Sequence, residues 1–251
     1  MQIGGGQNRL KVSHFTNSHT LPKIAISLAL LLGGANIAFA EESGGFVGIG
    51  VGYGDAKMIQ EATNGDTNTT EKYKITANGA SYGFVAGYKQ FFNEYLGLRY
   101  YANVDLTHAT FKITDIDGVT EKFSPILVNY GVNVDFLGNF VVTEIADFGG
   151  FIGLGIGGNS WVGKDMKDMK DSYNSEGTNI KIKDTSFDVA LNVGLRTNIA
   201  KYHGIEIAVR VPFLNTQLYK ISGVDENGVS GYDKQELGQN VRVLARYTFS
   251  F

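Results

Sequence analysis

NVRVLARYTFSF, residues 240–251, places Val241, Val243, Ala245, Tyr247, Phe249 and Phe251 at alternate positions and Arg242, Arg246, Thr248 and Ser250 between them. Successive side chains of a β-strand point to opposite faces, so this segment needs apolar surroundings on one side and polar ones on the other. A transmembrane barrel strand meets both conditions at once, and an aromatic at its end suits the interface where hydrocarbon gives way to water.

The amino-terminal region carries a different signal. Residues 24–35, IAISLALLLGGA, are an apolar run preceded by Arg9, Lys11 and Lys23 and followed by Ala38-Phe39-Ala40. A basic region, a short apolar run and a small-x-small site make a secretory signal peptide, here residues 1–40, with cleavage expected before Glu41. The run falls short of the roughly 20 residues a spanning helix needs, and no later segment reaches that length. If the chain lies in a membrane, strands hold it there, and residues 41–251 are one β-barrel domain.

Residues 1–40 hold three basic residues and no acidic one, so their removal takes the formal charge from −3 to −6. Nucleic-acid binding rests on a basic surface and is not expected. The chain has no cysteine, which leaves no disulfide, no thiolate metal site and no cysteine nucleophile. With 33 glycines and 3 prolines, the composition suits closely packed strands better than a disordered tail.

Period-two segments predict eight antiparallel strands, near 45–57, 80–90, 95–112, 125–137, 147–162, 185–199, 204–221 and 240–251. The connections alternate: 58–79, 113–124, 163–184 and 222–239 are long and polar, whereas 91–94, 138–146 and 200–203 are short. Short periplasmic turns and longer extracellular loops give outer-membrane barrels this rhythm, which puts both termini in the periplasm. The predicted class is all-β, an eight-stranded transmembrane barrel in the cell outer membrane. Outer-membrane lipids and lipopolysaccharide would be its surroundings.

Parity holds from strand to strand. Tyr82, Phe84, Tyr88, Leu96, Tyr100, Val104, Val132, Val134, Ile152, Leu154, Phe187, Leu195, Ile205 and Ile207 share one face, assigned to lipid. The other face carries Arg99, Asp105, Asp135, Asp188, Arg196, Glu206, Arg210, Arg242 and Arg246. Eight strands leave an interior that side chains can fill, and buried charges must be paired. These nine residues are therefore predicted to form a lumen ion-pair network that plugs the barrel. Counting up from the short turns places Arg99, Asp135, Arg196, Glu206, Arg210 and Arg246 in a lower tier and Asp105, Asp188 and Arg242 in an upper one. Arg196 and Glu206 face each other across the turn at 200–203 and are expected to form a cross-strand salt bridge. The alternative is a small porin, in which the same charges line a narrow polar path for ions or small solutes. A third reading is adhesin-like binding of a host surface ligand through 163–184 and 222–239.

The remaining motifs are weak. The near-repeat GKDMKDMKD at 163–171 reads as a solvated loop, since Lys164, Lys167 and Lys170 counter the carboxylates that calcium would need. His108, with Thr110 two residues on, and His203 lack a serine partner by sequence, so no catalytic residue is assigned and the chain is not expected to be an enzyme. Two separated histidines make no metal constellation, and no cofactor is implied. Asn68-Thr69-Thr70 is a candidate glycosylation sequon in the first long loop. Tyr53, Tyr82, Tyr88, Tyr95, Phe213, Tyr219, Phe249 and Phe251 are candidates for interfacial girdles. Trp161 breaks the parity of Ile152 to Ile156, and either a bulge after Gly157-Gly158 returns it to lipid or it points inward.

Six blocks, in order, resemble the recurring segments of the Helicobacter outer membrane protein family: GGFVGIGVGYGDAKM at 44–58, LGLRYYANVD at 96–105, YGVNVDFLGNFV at 130–141, FGGFIGLGIGGNSW at 148–161, NVGLRTNIAKYHGIEIAVRVPFLNTQLYK at 192–220, and the closing RYTFSF. The resemblance implies an outer-membrane barrel from a family that includes adhesins and porins. It also implies that Tyr247, Phe249 and Phe251 form the terminal signal read by the outer-membrane assembly machinery. The chain lacks the large domain that adhesin members carry between early strands, since its first loop, 58–79, is short.

Overall fold

A computed structural model describes residues 41–64, 69–114, 118–175, 180–224 and 230–251. The expected signal segment and the Asn68 sequon lie outside the described residues. Among the described residues, twelve strands and one helix follow in chain order: β1 Gly44–Asn64, β2 Thr69–Phe91, β3 Leu96–His108, β4 Phe111–Thr114, β5 Thr120–Phe123, β6 Ile126–Val142, β7 Ala146–Val162, α1 Lys164–Ser175, β8 Thr185–Ile199, β9 His203–Pro212, β10 Thr216–Val224, β11 Ser230–Gly238 and β12 Arg242–Ser250.

Eight of these strands close a ring in the order β1-β2-β3-β6-β7-β8-β9-β12, and every neighbouring pair is antiparallel. The last seam joins the chain's first strand to its last, from Phe46 opposite Ser250 to Gly54 opposite Arg242. Closure removes the free edges that a sheet in hydrocarbon cannot leave unpaired. The alternation read from residues 240–251 is observed directly, since β12 is buried and exposed at strictly alternate positions.

Outward residues form the belt that lipid requires. Ile49, Val51, Phe84, Val104, Val132, Val134, Ile152, Leu154, Ile156, Leu195, Ile205 and Ile207 are all exposed apolar side chains on the outer face. Aromatics flank the belt, with Tyr53 and Tyr82 toward one rim and Tyr95, Phe249 and Phe251 toward the other. Tyr219 departs from the expected girdle: it is buried in an extramembrane core and donates a hydrogen bond to Asp233 at 3.3 Å.

The two ends of the ring differ. At the turn end, 92–95, 143–145 and 200–202 join β2 to β3, β6 to β7 and β8 to β9. Ala200 (φ 49°) and Lys201 (φ 67°) both take left-handed backbone in the three-residue turn between Ile199 and His203, and Asn198 donates to the Lys201 carbonyl at 2.9 Å. At the other end, the described parts of the segments read as long polar loops form regular elements. β1 and β2 contain 21 and 23 residues, twice the roughly 9–11 that span a bilayer, so their outer halves continue beyond the belt as a paired ribbon. β11 adds to that ribbon from Lys57 opposite Gly238 to Thr63 opposite Tyr232, and β10 adds to β11. The expected strand 204–221 is thus two elements, parted at 213–215, whose second half leaves the barrel wall for the ribbon. β4 and β5 pair as a separate two-stranded antiparallel sheet, from Phe111 opposite Phe123 to Thr114 opposite Thr120.

GKDMKDMKD is helical rather than a loop. Lys164 and Asp168 pair one turn apart on the exposed side of α1, while Met166 on the opposite side is buried. Polar composition concealed the helix, because only Met166, Met169 and Tyr173 mark its apolar side. Beneath it, Ala56, Met58, Ala77, Ala109, Phe111, Leu127, Trp161, Ile182, Leu218, Tyr219 and Leu237 complete one apolar core. Trp161 points inward: no register shift occurs in β7 after Gly157-Gly158, and its indole nitrogen donates to Thr216 Oγ1 at 3.2 Å. Inward residues at the hairpin ends of the strands therefore meet side chains from α1, β10 and β11, which caps that mouth of the ring.

One contact beneath the cap titrates. Lys170 hydrogen-bonds Asp184. Partial burial pushes the Asp184 carboxyl up, but the Lys170 hydrogen bond and charge, with help from Thr185, outweigh it and hold the group below its ordinary value. A depressed carboxyl contributes stability above its unfolded pKa and loses it as pH falls through the folded value. α1 is therefore expected to stay docked at neutral pH and to loosen only in acid below the ordinary carboxylate range. The emission of Trp161, the sole tryptophan, reports this contact; a spectral shift already complete at pH 5 would contradict the assignment.

Candidate functional site

Among the described residues, the buried charges collect in the lumen. All nine sequence-identified residues, Arg99, Asp105, Asp135, Asp188, Arg196, Glu206, Arg210, Arg242 and Arg246, are buried. They point inward because their positions share the parity opposite to the lipid belt.

Arg99 on β3 is the hub. Its Nε and Nη2 donate to Asp135 Oδ2 on β6 at 3.2 and 2.7 Å, and its Nη1 donates to Glu206 Oε1 on β9 at 2.5 Å. Glu206 takes a second guanidinium through Oε2, from Arg246 on β12 at 3.2 Å. The rings of Phe46, Tyr101 and Phe151 lie 5.6, 5.0 and 4.5 Å from the Arg99 guanidinium carbon, which walls the hub off from water. Above it, Arg242 donates to Asp105 across the ring at 2.6 Å, and Arg210 stands 4.0 Å from Asp188. Arg210 thus belongs with the upper tier rather than the lower, because strand tilt raises β9 relative to β3.

The expected Arg196–Glu206 salt bridge does not form. The two residues are register partners, but Glu206 turns to Arg99 and Arg246. Arg196 turns instead toward the turn-end mouth and pairs with Glu41. Position in the ladder brought the backbones together; the long side chains found other partners along the axis.

Three charged residues were missed. Glu41 and Lys89 pair at 2.6 Å, and Asp147 accepts from the Glu41 backbone nitrogen at 3.0 Å. Lys89 and Asp147 share the inward parity of their strands and were legible on that ground. Glu41 precedes β1 and has no periodicity to read. With them the buried charges balance: Lys89, Arg99, Arg196, Arg210, Arg242 and Arg246 face Glu41, Asp105, Asp135, Asp147, Asp188 and Glu206.

Between the ionic tiers runs a column of amides, also missed. Asn103 donates to Asp105 at 2.6 Å and Asn129 at 3.0 Å; Asn129 donates to Asn159 at 2.8 Å; Asn133 donates to Asn103 at 2.8 Å and accepts from Arg210 at 2.7 Å and Asn192 at 3.0 Å. Each amide offers donors and an acceptor, so the chain passes between charges without a bare polar group at each step. β7 makes room for it. Its inward positions 153, 155 and 157 are glycines, and a Cβ at Gly155 would lie 2.1 Å from Asn133 Oδ1 and 2.8 Å from Arg210 Nη1.

His108 and His203 occupy the outer surface. His108 packs edge-on against Tyr82 with ring centres 6.1 Å apart, and His203 Nδ1 lies 2.7 Å from the Tyr247 hydroxyl. Both contacts are structural, between neighbouring strands.

Residues 83–251 match the family described as Helicobacter outer membrane protein. The chain belongs to that family. The match begins within β2 and covers the rest of the ring, so this Helicobacter outer membrane protein family member carries every lumen residue from Lys89 onward inside the family region. It is an outer-membrane β-barrel protein. No curated protein matches it. Solved structures similar to the family member include the outer membrane protein OprG from Pseudomonas aeruginosa, 14% identical over 84% of this chain and 98% of that one, with a TM-score of 0.49. Neisserial surface protein A is 13% identical over 84% of this chain and 100% of that one, with a TM-score of 0.38. The outer membrane protease OmpT from Escherichia coli is 11% identical over 83% and 97%, with a TM-score of 0.36.

Proposed function

We propose that this family member is a closed barrel that acts at the cell surface through its ordered cap, with a lumen that serves as a structural plug rather than a path for solute. The filling of the lumen carries this reading. From the apolar core under α1, through Arg242–Asp105 and the amide column, to the Arg99 hub and the Lys89–Glu41–Arg196 cluster, side chains succeed one another, and the cavity among Tyr101, Asn192, Arg210, Arg242 and Arg246 has a volume of about 20 Å³. That is room for roughly one water. A steady ion path needs a continuous aqueous column. In planar bilayers the purified protein is expected to give no reproducible single-channel steps. Steady, uniform steps would overturn the plug and establish the porin alternative.

The termini and short turns lie in the periplasm in this reading and the cap faces outward, so that the polar ribbon of β1, β2, β10 and β11 stands outside the hydrocarbon belt, available to a surface ligand. Tyr247, Phe249 and Phe251 are exposed along the lipid side of β12, an arrangement suited to recognition of a single strand by the assembly machinery. Phe251→Asp is expected to lower the amount of folded, heat-modifiable protein in the outer membrane severalfold; wild-type levels would count against that role.

A further inference from the structure

The segment before β1 is tied into the turn-end mouth at three consecutive residues. Glu41 is buried, its carboxylate taking Lys89 on β2 and Arg196 on β8. Glu42 pairs with Lys201 at 2.7 Å, and Ser43 Oγ accepts the Phe91 backbone N–H at 2.8 Å. The Glu41 nitrogen lies 3.0 Å from Asp147 Oδ2, while Asp147 Oδ1, also buried, has no hydrogen-bond partner. A peptide N–H offers one proton to that carboxylate. An ammonium offers three, enough for both oxygens, together with the charge that a buried carboxylate needs.

We propose that processing of the Ala40–Glu41 bond creates an ion pair between the new α-ammonium of Glu41 and Asp147, and that this pair seats the Glu41 side chain as the tethered counter-ion of Lys89 and Arg196, closing the turn-end mouth. Hydrolysis by a signal peptidase adds one water across the peptide bond. Ala40 leaves with a carboxylate, and Glu41 keeps the amine, protonated at neutral pH. Without Glu41, Lys89 retains Ser250 Oγ at 3.0 Å and Arg196 retains Asn139 Oδ1 at 3.4 Å, neither of which carries charge. Two cations would then stand at an open mouth. This inference does not depend on the rest of the lumen being closed.

The test uses protein exported to and purified from outer membranes. Intact mass is expected to correspond to a chain beginning at Glu41. Brief treatment with an amine-acetylating reagent at neutral pH, read by peptide mass, is expected to leave the Glu41 α-amine and Lys89 unmodified in folded protein. Glu41→Ala is expected to raise Lys89 acetylation about tenfold or more, and Asp147→Asn, which unseats Glu41, to raise acetylation of both the α-amine and Lys89. A mature chain beginning elsewhere overturns the proposal, as does an α-amine acetylated equally fast in wild type and Asp147→Asn. If either variant fails to fold, the wild-type mass and labelling decide: ready acetylation of folded wild type at both amines rejects it. Steady conductance with both amines protected defeats the closed-lumen reading alone, whereas silent bilayers with both amines reactive defeat this one alone.

Discussion

Replacing Arg99 by methionine is expected to destabilise the barrel by about 3–5 kcal/mol, the usual result of removing one partner from a buried ionic cluster. The guanidinium is fully buried and binds two carboxylates. Glu206 keeps Arg246 when Arg99 is lost, but Asp135 keeps only Asn192 at 3.4 Å, a neutral donor at the limit of hydrogen bonding. Most of the loss therefore comes from Asp135, left charged and unpaired against the rings of Tyr101 and Phe151. Adding Asp135→Asn removes that charge, and the double variant is expected to recover the larger part. Urea unfolding from lipid vesicles measures both. A single-variant loss below about 1 kcal/mol, the scale of an exposed pair, would show that water reaches the hub.

The second large effect is steric. Gly155→Val puts a Cβ 2.1 Å from Asn133 Oδ1, the oxygen that accepts from both Arg210 and Asn192. Overpacking alone costs roughly 1–3 kcal/mol. Displacing the Asn133 amide also takes one acceptor from each of two buried donors, leaving Arg210 Nη1 with Asn192 Oδ1 at 3.0 Å and the Asn192 amide with Asp135 Oδ1 at 3.4 Å, a further loss on the order of 1–3 kcal/mol. Together these are comparable with the whole stability of a small domain, so the variant is expected to accumulate unfolded, with little or no heat-modifiable band. Gly138→Ala is the control: nothing lies within 4 Å of its Cβ, and folding should be unchanged. Normal assembly of Gly155→Val would mean that the amide column is looser than its hydrogen bonds imply.

The ring was legible because the same period-two rule repeats on each of its strands; once β12 fixes one parity, Arg99, Asp135, Glu206 and Arg242 follow as inward residues. What parity does not specify is height along the axis. Tilt shifts each strand against the next, so Arg210 rose a tier and Arg196 met Glu41 instead of the Glu206 directly across the ladder. The amides of Asn103, Asn129, Asn133, Asn159 and Asn192 share the inward parity, but neutral side chains were passed over in a search for charge. Outside the belt the periodic signal fades. The ribbon strands are polar on both faces, as at Glu71, Lys72, Lys74 and Thr76, and α1 shows its apolar side only at Met166, Met169 and Tyr173, so these elements read as loops. Glu41 could not be found by pattern at all, since its partners come from strands that begin far downstream.

Arg242 lies on the last strand, and its carboxylate, Asp105, lies on β3, 137 residues earlier. No hairpin made along the way can satisfy it. A chain whose first seven ring strands have already curled together therefore still presents Asp105 with no cation, and water must stay in the half-made lumen until β12 arrives. Closing the seam from Phe46–Ser250 to Gly54–Arg242 therefore brings Asp105 its cation in the same event that completes the ring.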